Sequence, residues 1–185
     1  MVLLDSYYEG NMTAQGLVII NTGHGKGKST AAFGQALRAA GQGMKVCIIQ
    51  FIKGQTNTGE ALAFASAFPD RIELHLAGTG FTWQQEMETV KKAALAGWEL
   101  AKEKILSDDY DLIVLDELTY LTGFDIVPEE EIISLLRKRP KRLHLVITGR
   151  DASQGLIDYA DLVTEMRAIK HPFSKGVKAQ KGIEF

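Results

Sequence analysis

The segment Thr22-Gly23-His24-Gly25-Lys26-Gly27-Lys28-Ser29-Thr30 holds the residue types that grip a polyphosphate, and it follows the apolar run Leu17-Val18-Ile19-Ile20. Glycines let backbone N–H groups converge on anionic oxygens, and a helix start adds the positive end of its dipole. Lys28 supplies a point charge, and the Ser29 hydroxyl suits a magnesium ion. The strict phosphate-loop pattern has glycine where Thr22 stands, whereas Gly23 and Gly25 lie inside the loop here. The strand–loop–helix context still reads as a phosphate loop that has drifted. Two side chains stay open at this point. Lys26 either contacts phosphate or is solvated, and His24 at the apex either touches phosphate or faces water.

A second chemical group ends the run Leu112-Ile113-Val114-Leu115-Asp116-Glu117. An apolar strand closing on carboxylates is the usual metal-side partner of a phosphate loop. Asp116 and Glu117 are therefore expected beside Ser29, one binding the metal directly and the other through water, in an order the sequence leaves open. Thr148-Gly149-Arg150-Asp151 follows another apolar run, and Arg150 either offers forked donors to an anion or pairs with a neighbouring acid. Gly78-Thr79-Gly80-Phe81-Thr82-Trp83 carries two aromatic residues outside any periodic stripe. They are core plugs or a lid on a flat ligand. Lys170 to Lys178 is locally basic, either a solvated tail or a closure over an anion.

These groups need a scaffold that delivers them to one edge. Strand candidates are Leu17–Asn21, Val46–Phe51, Ile72–Leu76, Leu112–Leu115, Leu143–Ile147 and Leu162–Met166. Helical patterns span about Lys28 to Ala40, Glu60–Phe68, Gln85–Leu106, a segment begun by Pro128, and Gly155–Tyr159. In Gln85–Leu106, Met87, Val90, Ala94, Trp98, Ala101 and Ile105 form one apolar stripe, so Trp98 is expected in the core. Strands alternating with helices predict an α/β domain, a mostly parallel sheet with helices on both faces. In such a sheet the carboxyl ends of the strands face the ligand crevice.

Composition sets outer bounds. The 185 residues suit one domain, and 45% hydrophobic content is ample for a core. A formal net charge of −2 gives no bulk attraction to nucleic acid or anionic membranes. Cys47, the single cysteine, lies in an apolar strand and reads as a core residue. The expected setting is reducing and cytoplasmic, with neither a membrane span nor a secretory signal.

Taken together, these segments resemble the ATP:corrinoid adenosyltransferases of the phosphate-loop type, the CobA/BtuR/CobO family. The family loop reads Thr-Gly-Asn-Gly-Lys-Gly-Lys-Thr-Thr, which Thr22–Thr30 matches except at His24 and Ser29. The resemblance continues through Ala31–Gly34, Gln50–Gly54, Gly78–Trp83, Leu115–Tyr120, Ile147–Arg150, Lys170-His171 and Gly176–Gln180. It spans Gly16 to Phe185, with a shorter segment before Gly16 than in many relatives.

The resemblance implies a RecA-like phosphate-loop domain over 16–169, an N-terminal arm over 1–15 and a C-terminal tail over 170–185 packed near the active site. It implies transfer of the 5′-deoxyadenosyl group of ATP to cobalt(I) of a corrinoid, with release of triphosphate. Thr22 to Thr30 and Arg150 would hold ATP, and Ser29, Asp116 and Glu117 would hold Mg2+ or Mn2+. Lys28 and Glu117 would assist the reaction, while Phe81 and Trp83 would exclude the lower axial ligand of the corrinoid. A flavodoxin or flavin reductase as electron donor and a homodimer are further implications. ATP is expected in the loop in an orientation unlike that of a kinase, reversed end for end. The alternatives are another phosphate-loop kinase or ATPase, which would release ADP, and a nucleotide-regulated binding module without turnover.

Overall fold

A computed structural model describes residues 15–52, 58–78 and 87–184. Its sheet has six strands in the order β3-β2-β4-β5-β1-β6, and every neighbouring pair is parallel. The strands are β1 (Val18–Thr22), β2 (Val46–Gln50), β3 (Ile72–Leu76), β4 (Leu112–Asp116), β5 (His144–Thr148) and β6 (Leu162–Glu165). The helices are α1 (Lys28–Gly41), α2 (Gly59–Ala67), α3 (Met87–Leu106), α4 (Thr119–Gly123), α5 (Glu129–Lys138) and α6 (Gln154–Tyr159). A 3-10 turn spans Pro172–Lys175.

Strand pleating sends alternate residues to opposite faces, and two cores result. Cys47, Ile49, Ile113, Leu115 and Ile147 face one side and pack with Trp98, Leu121, Ile132 and Leu156 from α3 to α6. Ile48, Val114 and Val146 face the other side, against Ala32, Phe33 and Ala36 of α1 and Phe64 of α2. The central strands are buried throughout because both faces are covered. β6, at the sheet edge, is exposed along its length.

Most elements begin or end within a residue or two of their expected bounds, because apolar runs mark them. α4 went unforeseen, being too short for any periodicity to register. The expected stripe of α3 is covered only in part. Ala94, Trp98, Ala101 and Ile105 are buried, but Met87 is exposed. A helix of this length runs about 30 Å, whereas a five-residue strand runs about 17 Å, so the sheet covers only its later turns. Trp98 is in the core as expected, and its indole N–H donates to Glu131 Oε1 at 2.6 Å.

The site depends on one feature of the order. β5 lies between β1 and β4. The loop after β1, the acids ending β4 and the Thr148–Asp151 segment after β5 therefore open on the same edge, with β5 in the middle.

Candidate active site

Gly23 and Gly25 are small for a structural reason. A Cβ on either would lie 2.5–2.6 Å from the Met166 backbone oxygen. The loop lies against the chain just after β6, and Gly25 N–H donates to Met166 O at 2.5 Å. Gly27, at φ 110, turns the chain into α1 as its N-cap. This left-handed position is open to glycine at little cost.

The loop borders a cavity of ≈ 260 Å³ lined by His24 to Thr30 together with Glu60, Glu117, Arg150, His171 and Glu184. Its floor is cationic. Lys28 is 8% exposed and donates from Nζ to Gly25 O at 2.8 Å. Burial pushes its pKa below the usual lysine range. The charge of Glu117 opposes that shift, Arg150 reinforces it and Asp116 opposes it. An anion placed against the loop would supply the compensating charge that this ammonium needs.

The two acids are placed differently. Asp116 is fully buried and does not line the cavity. Gln50 Nε2 donates to its Oδ2 at 2.9 Å, and Thr148 Oγ1 donates to its Oδ1 at 2.7 Å. Glu117 follows with φ 64, a left-handed conformation uncommon outside glycine. Its N–H donates to the same Thr148 hydroxyl at 2.9 Å. The turn brings Glu117 to the loop cavity while Asp116 stays in the sheet.

Of the residues expected to bind nucleotide, His24, Gly25, Lys26, Gly27, Lys28, Ser29, Thr30 and Arg150 border the cavity. Thr22 and Gly23 lie behind it, and Thr22 Oγ1 instead accepts from Ala152 N–H at 3.1 Å. His24 Nε2 meets Asp151 Oδ1 at 2.9 Å, and Lys26 pairs with Glu184. Phe81 and Trp83 lie outside the described residues. Gln50 and Thr148, which orient Asp116, were not singled out from the sequence. The available signal was a polar residue ending an otherwise apolar strand in each case.

The donor set suits a small hard cation: the Ser29 hydroxyl and Glu117 carboxylate border the cavity, with the hydrogen-bonded Asp116 carboxylate behind them. Next to the loop cavity lies a second space of ≈ 290 Å³, which shares His24 and Arg150 with it. Thr119, Tyr120, Phe124 and Asp151 are among its walls. The Tyr120 and Phe124 rings stack with centroids 5.7 Å apart. Burial raises the Tyr120 pKa, the charge of Glu117 adds to the rise, and Arg150 opposes it.

Comparison with known proteins places this arrangement. The flagellar accessory protein FlaH from Methanocaldococcus jannaschii shares the fold with a TM-score of 0.58 at 12% identity, covering 82% of this chain and 71% of that one. The corrinoid adenosyltransferase CobA of Salmonella typhimurium is 44% identical over 172 residues, covering 92% of this chain and 86% of that protein. The corrinoid adenosyltransferase of Pseudomonas aeruginosa is 43% identical over 172 residues, covering 92% and 84%. The sequence model of the family described as ATP:corrinoid adenosyltransferase BtuR/CobO/CobP matches residues 14–185. With the family match running through the loop, the acidic strand end and the tail, this chain belongs to the ATP:corrinoid adenosyltransferase family.

Proposed function

We propose that this protein transfers the 5′-deoxyadenosyl group of ATP to cobalt(I) of a corrinoid and releases triphosphate. The observation that carries this reading is the family match over residues 14–185, which includes every residue bordering the loop cavity. The cobalt of the substrate donates an electron pair to the ribose 5′ carbon. The carbon–oxygen bond to the α-phosphate breaks, and triphosphate leaves with that bond's electrons. Cobalt(I) carries no proton, so the protein needs no general base for the nucleophile. Its tasks are positioning and stabilisation of the leaving group.

Lys28 and the loop amides receive the charge that builds on triphosphate, and Arg150 adds forked donors at the rim. Ser29 and Glu117 would hold Mg2+ or Mn2+, with Asp116 behind them in its place between Gln50 and Thr148. When bound, that cation neutralises phosphate charge. Orientation follows from what must be exposed: the 5′ carbon, rather than the terminal phosphate, has to face the second substrate. The space walled by Tyr120 and Phe124 supports a nucleoside placed on the Glu117 side of the loop, reversed relative to a kinase. A nucleotide complex in the kinase orientation would overturn that placement.

Phe81 and Trp83 exclude water and the lower axial ligand of cobalt(II), which eases its reduction. Replacing both with alanine should slow adenosylation from cobalt(II) far more than it weakens ATP binding; equal losses would remove this role. A flavodoxin or flavin reductase supplies the electron, and the protein works as a cytoplasmic homodimer. Among the described residues no helix is long and apolar enough to cross a membrane. Residues 16–169 form the catalytic domain, 1–15 an arm, and 170–185 a tail at the site. His171 and Glu184 at the loop cavity support this last placement.

The reaction is tested with chemically reduced corrinoid, ATP and magnesium, comparing the native protein with Lys28→Ala. Appearance of a light-sensitive alkylcobalt spectrum together with triphosphate, lost in the variant, is the expected result. ADP and phosphate without an organometallic product would overturn the reading.

A further inference from the structure

Residues 172–183 are exposed throughout, yet Glu184 reaches back into the loop cavity and is only 22% exposed at its side chain. A turn aims it there. Ile183 and Glu184 N–H both donate to Gln180 O, at 3.1 and 2.8 Å, and Gly182 sits at φ 78. Among the described residues little apolar packing covers Ile183, which is 73% exposed. Among the described residues an ionic contact reaches back from this end: the Glu184 carboxylate pairs with Lys26 of the phosphate loop. A carboxylate thus sits on a loop cation in the cavity where phosphate oxygens would lie.

We propose that Glu184 is a tethered competitor for the polyphosphate, holding Lys26 against it and helping to expel triphosphate after the reaction. The inference rests on the proposed function only in naming triphosphate as the product; the competition itself needs only an anion in the loop. Glu60 and Glu117 also line the cavity. A ligand bearing several negative charges cannot share Lys26 with Glu184 without added repulsion. The tail carboxylate therefore yields when ATP enters. It returns when the reaction has cut triphosphate from the adenosyl group, because the product has then lost its nucleoside contacts. A partly exposed ion pair of modest strength suits this task, since a strong one would exclude ATP as well.

Calorimetric titration with inorganic tripolyphosphate tests the competition without any corrinoid. Glu184→Gln should bind it about fivefold more tightly than the native chain, the range open to a partly exposed ion pair. In a Lys26→Ala background the same substitution should change affinity by less than about twofold, because the shared cation is gone. Tripolyphosphate should also speed digestion of the native tail by a carboxypeptidase. Equal or weaker binding by Glu184→Gln, an undiminished gain in the Lys26→Ala background, or protection of the tail would each overturn the proposal. None of these readouts depends on adenosyl transfer. Failure of the spectroscopic assay would count against the reaction while leaving the competition standing.

Discussion

The hydroxyl of Thr148 donates to Asp116 Oδ1 at 2.7 Å, across the boundary between β5 and β4. The same oxygen accepts the N–H of Glu117 at 2.9 Å. One side chain therefore fixes the buried acid and the turn that brings its neighbour to the cavity. Thr148→Val keeps the shape and removes both bonds, leaving the Glu117 N–H without this acceptor. The expected cost is about 1–3 kcal/mol in stability. With Glu117 and Asp116 in the metal role proposed above, the magnesium concentration for half-maximal activity should rise about 10- to 100-fold, as on loss of an outer-shell partner. Unfolding curves and a magnesium titration of the activity check the two effects separately.

Lys28 trades stability for binding. Its depressed pKa means that folding disfavours the ammonium, a penalty present below the folded pKa and relieved as pH rises through the unfolded value. Lys28→Met should therefore leave the melting temperature without nucleotide unchanged or higher. ATP should bind at least about thirtyfold more weakly, since a desolvated charge partner is lost. Thermal melts with and without ATP distinguish this from misfolding, which would lower both.

Gly149 stands at φ 147, and a Cβ there would lie 1.9 Å from Thr119 Oγ1. Gly149→Ala is expected to destabilise by about 2–3 kcal/mol through overpacking and backbone strain. Thr119→Ala by itself should cost little, because the buried Oγ1 makes no hydrogen bond among the described residues. Combined with Gly149→Ala it should recover part of the loss, and a double-mutant cycle on unfolding free energies measures that coupling.

Glu73 anchors the far edge of the sheet. Burial draws its pKa upward, but hydrogen bonds from Tyr110, Lys104 and His75 outweigh this and hold it at about 2, against 4.5 for the free side chain. Lys104 lies 3.0 Å from Glu73 Oε1, and its pKa is raised in turn by Tyr110 and Glu73. A depressed carboxylate pKa gives stability that is present above 4.5 and is lost as pH falls toward 2. Glu73→Gln should thus be less stable than the native chain at neutral pH, with the gap closing between those values. Urea unfolding at neutral pH and again near pH ~3 follows the closure. A gap constant with pH would remove Glu73 as its source.

Much of this architecture could be read from residue order, because burial imposes periods that survive in one dimension. Val46 to Ile49 is continuously apolar since both faces of β2 are covered, and the stripe ending at Ile105 marks the inner side of α3. The loop was equally plain, since glycines and lysine at fixed offsets have few other uses. What escaped were relationships between distant residues. Nothing local to Glu184 signals Lys26, nothing near Thr148 signals Asp116, and strand order decides that β5 separates the loop from the acids. The stripe continues to Met87, which is exposed, because a sequence pattern does not reveal where the sheet stops covering a helix.

His24 is the place where this loop departs from the family pattern in charge-bearing capacity. Its ring meets Asp151 at 2.9 Å, yet the two side chains are 64% and 75% exposed, so solvent screens the contact. His24→Asn should therefore keep stability within about 0.5 kcal/mol. If the ring does no more than face solvent at the rim, ATP affinity should change less than about threefold, a screened contact's worth. Arg150→Ala, removing forked donors that border both spaces, should weaken ATP by about tenfold or more. Titrating both variants with ATP ranks the two residues, and a larger loss at His24 than at Arg150 would place the imidazole on phosphate.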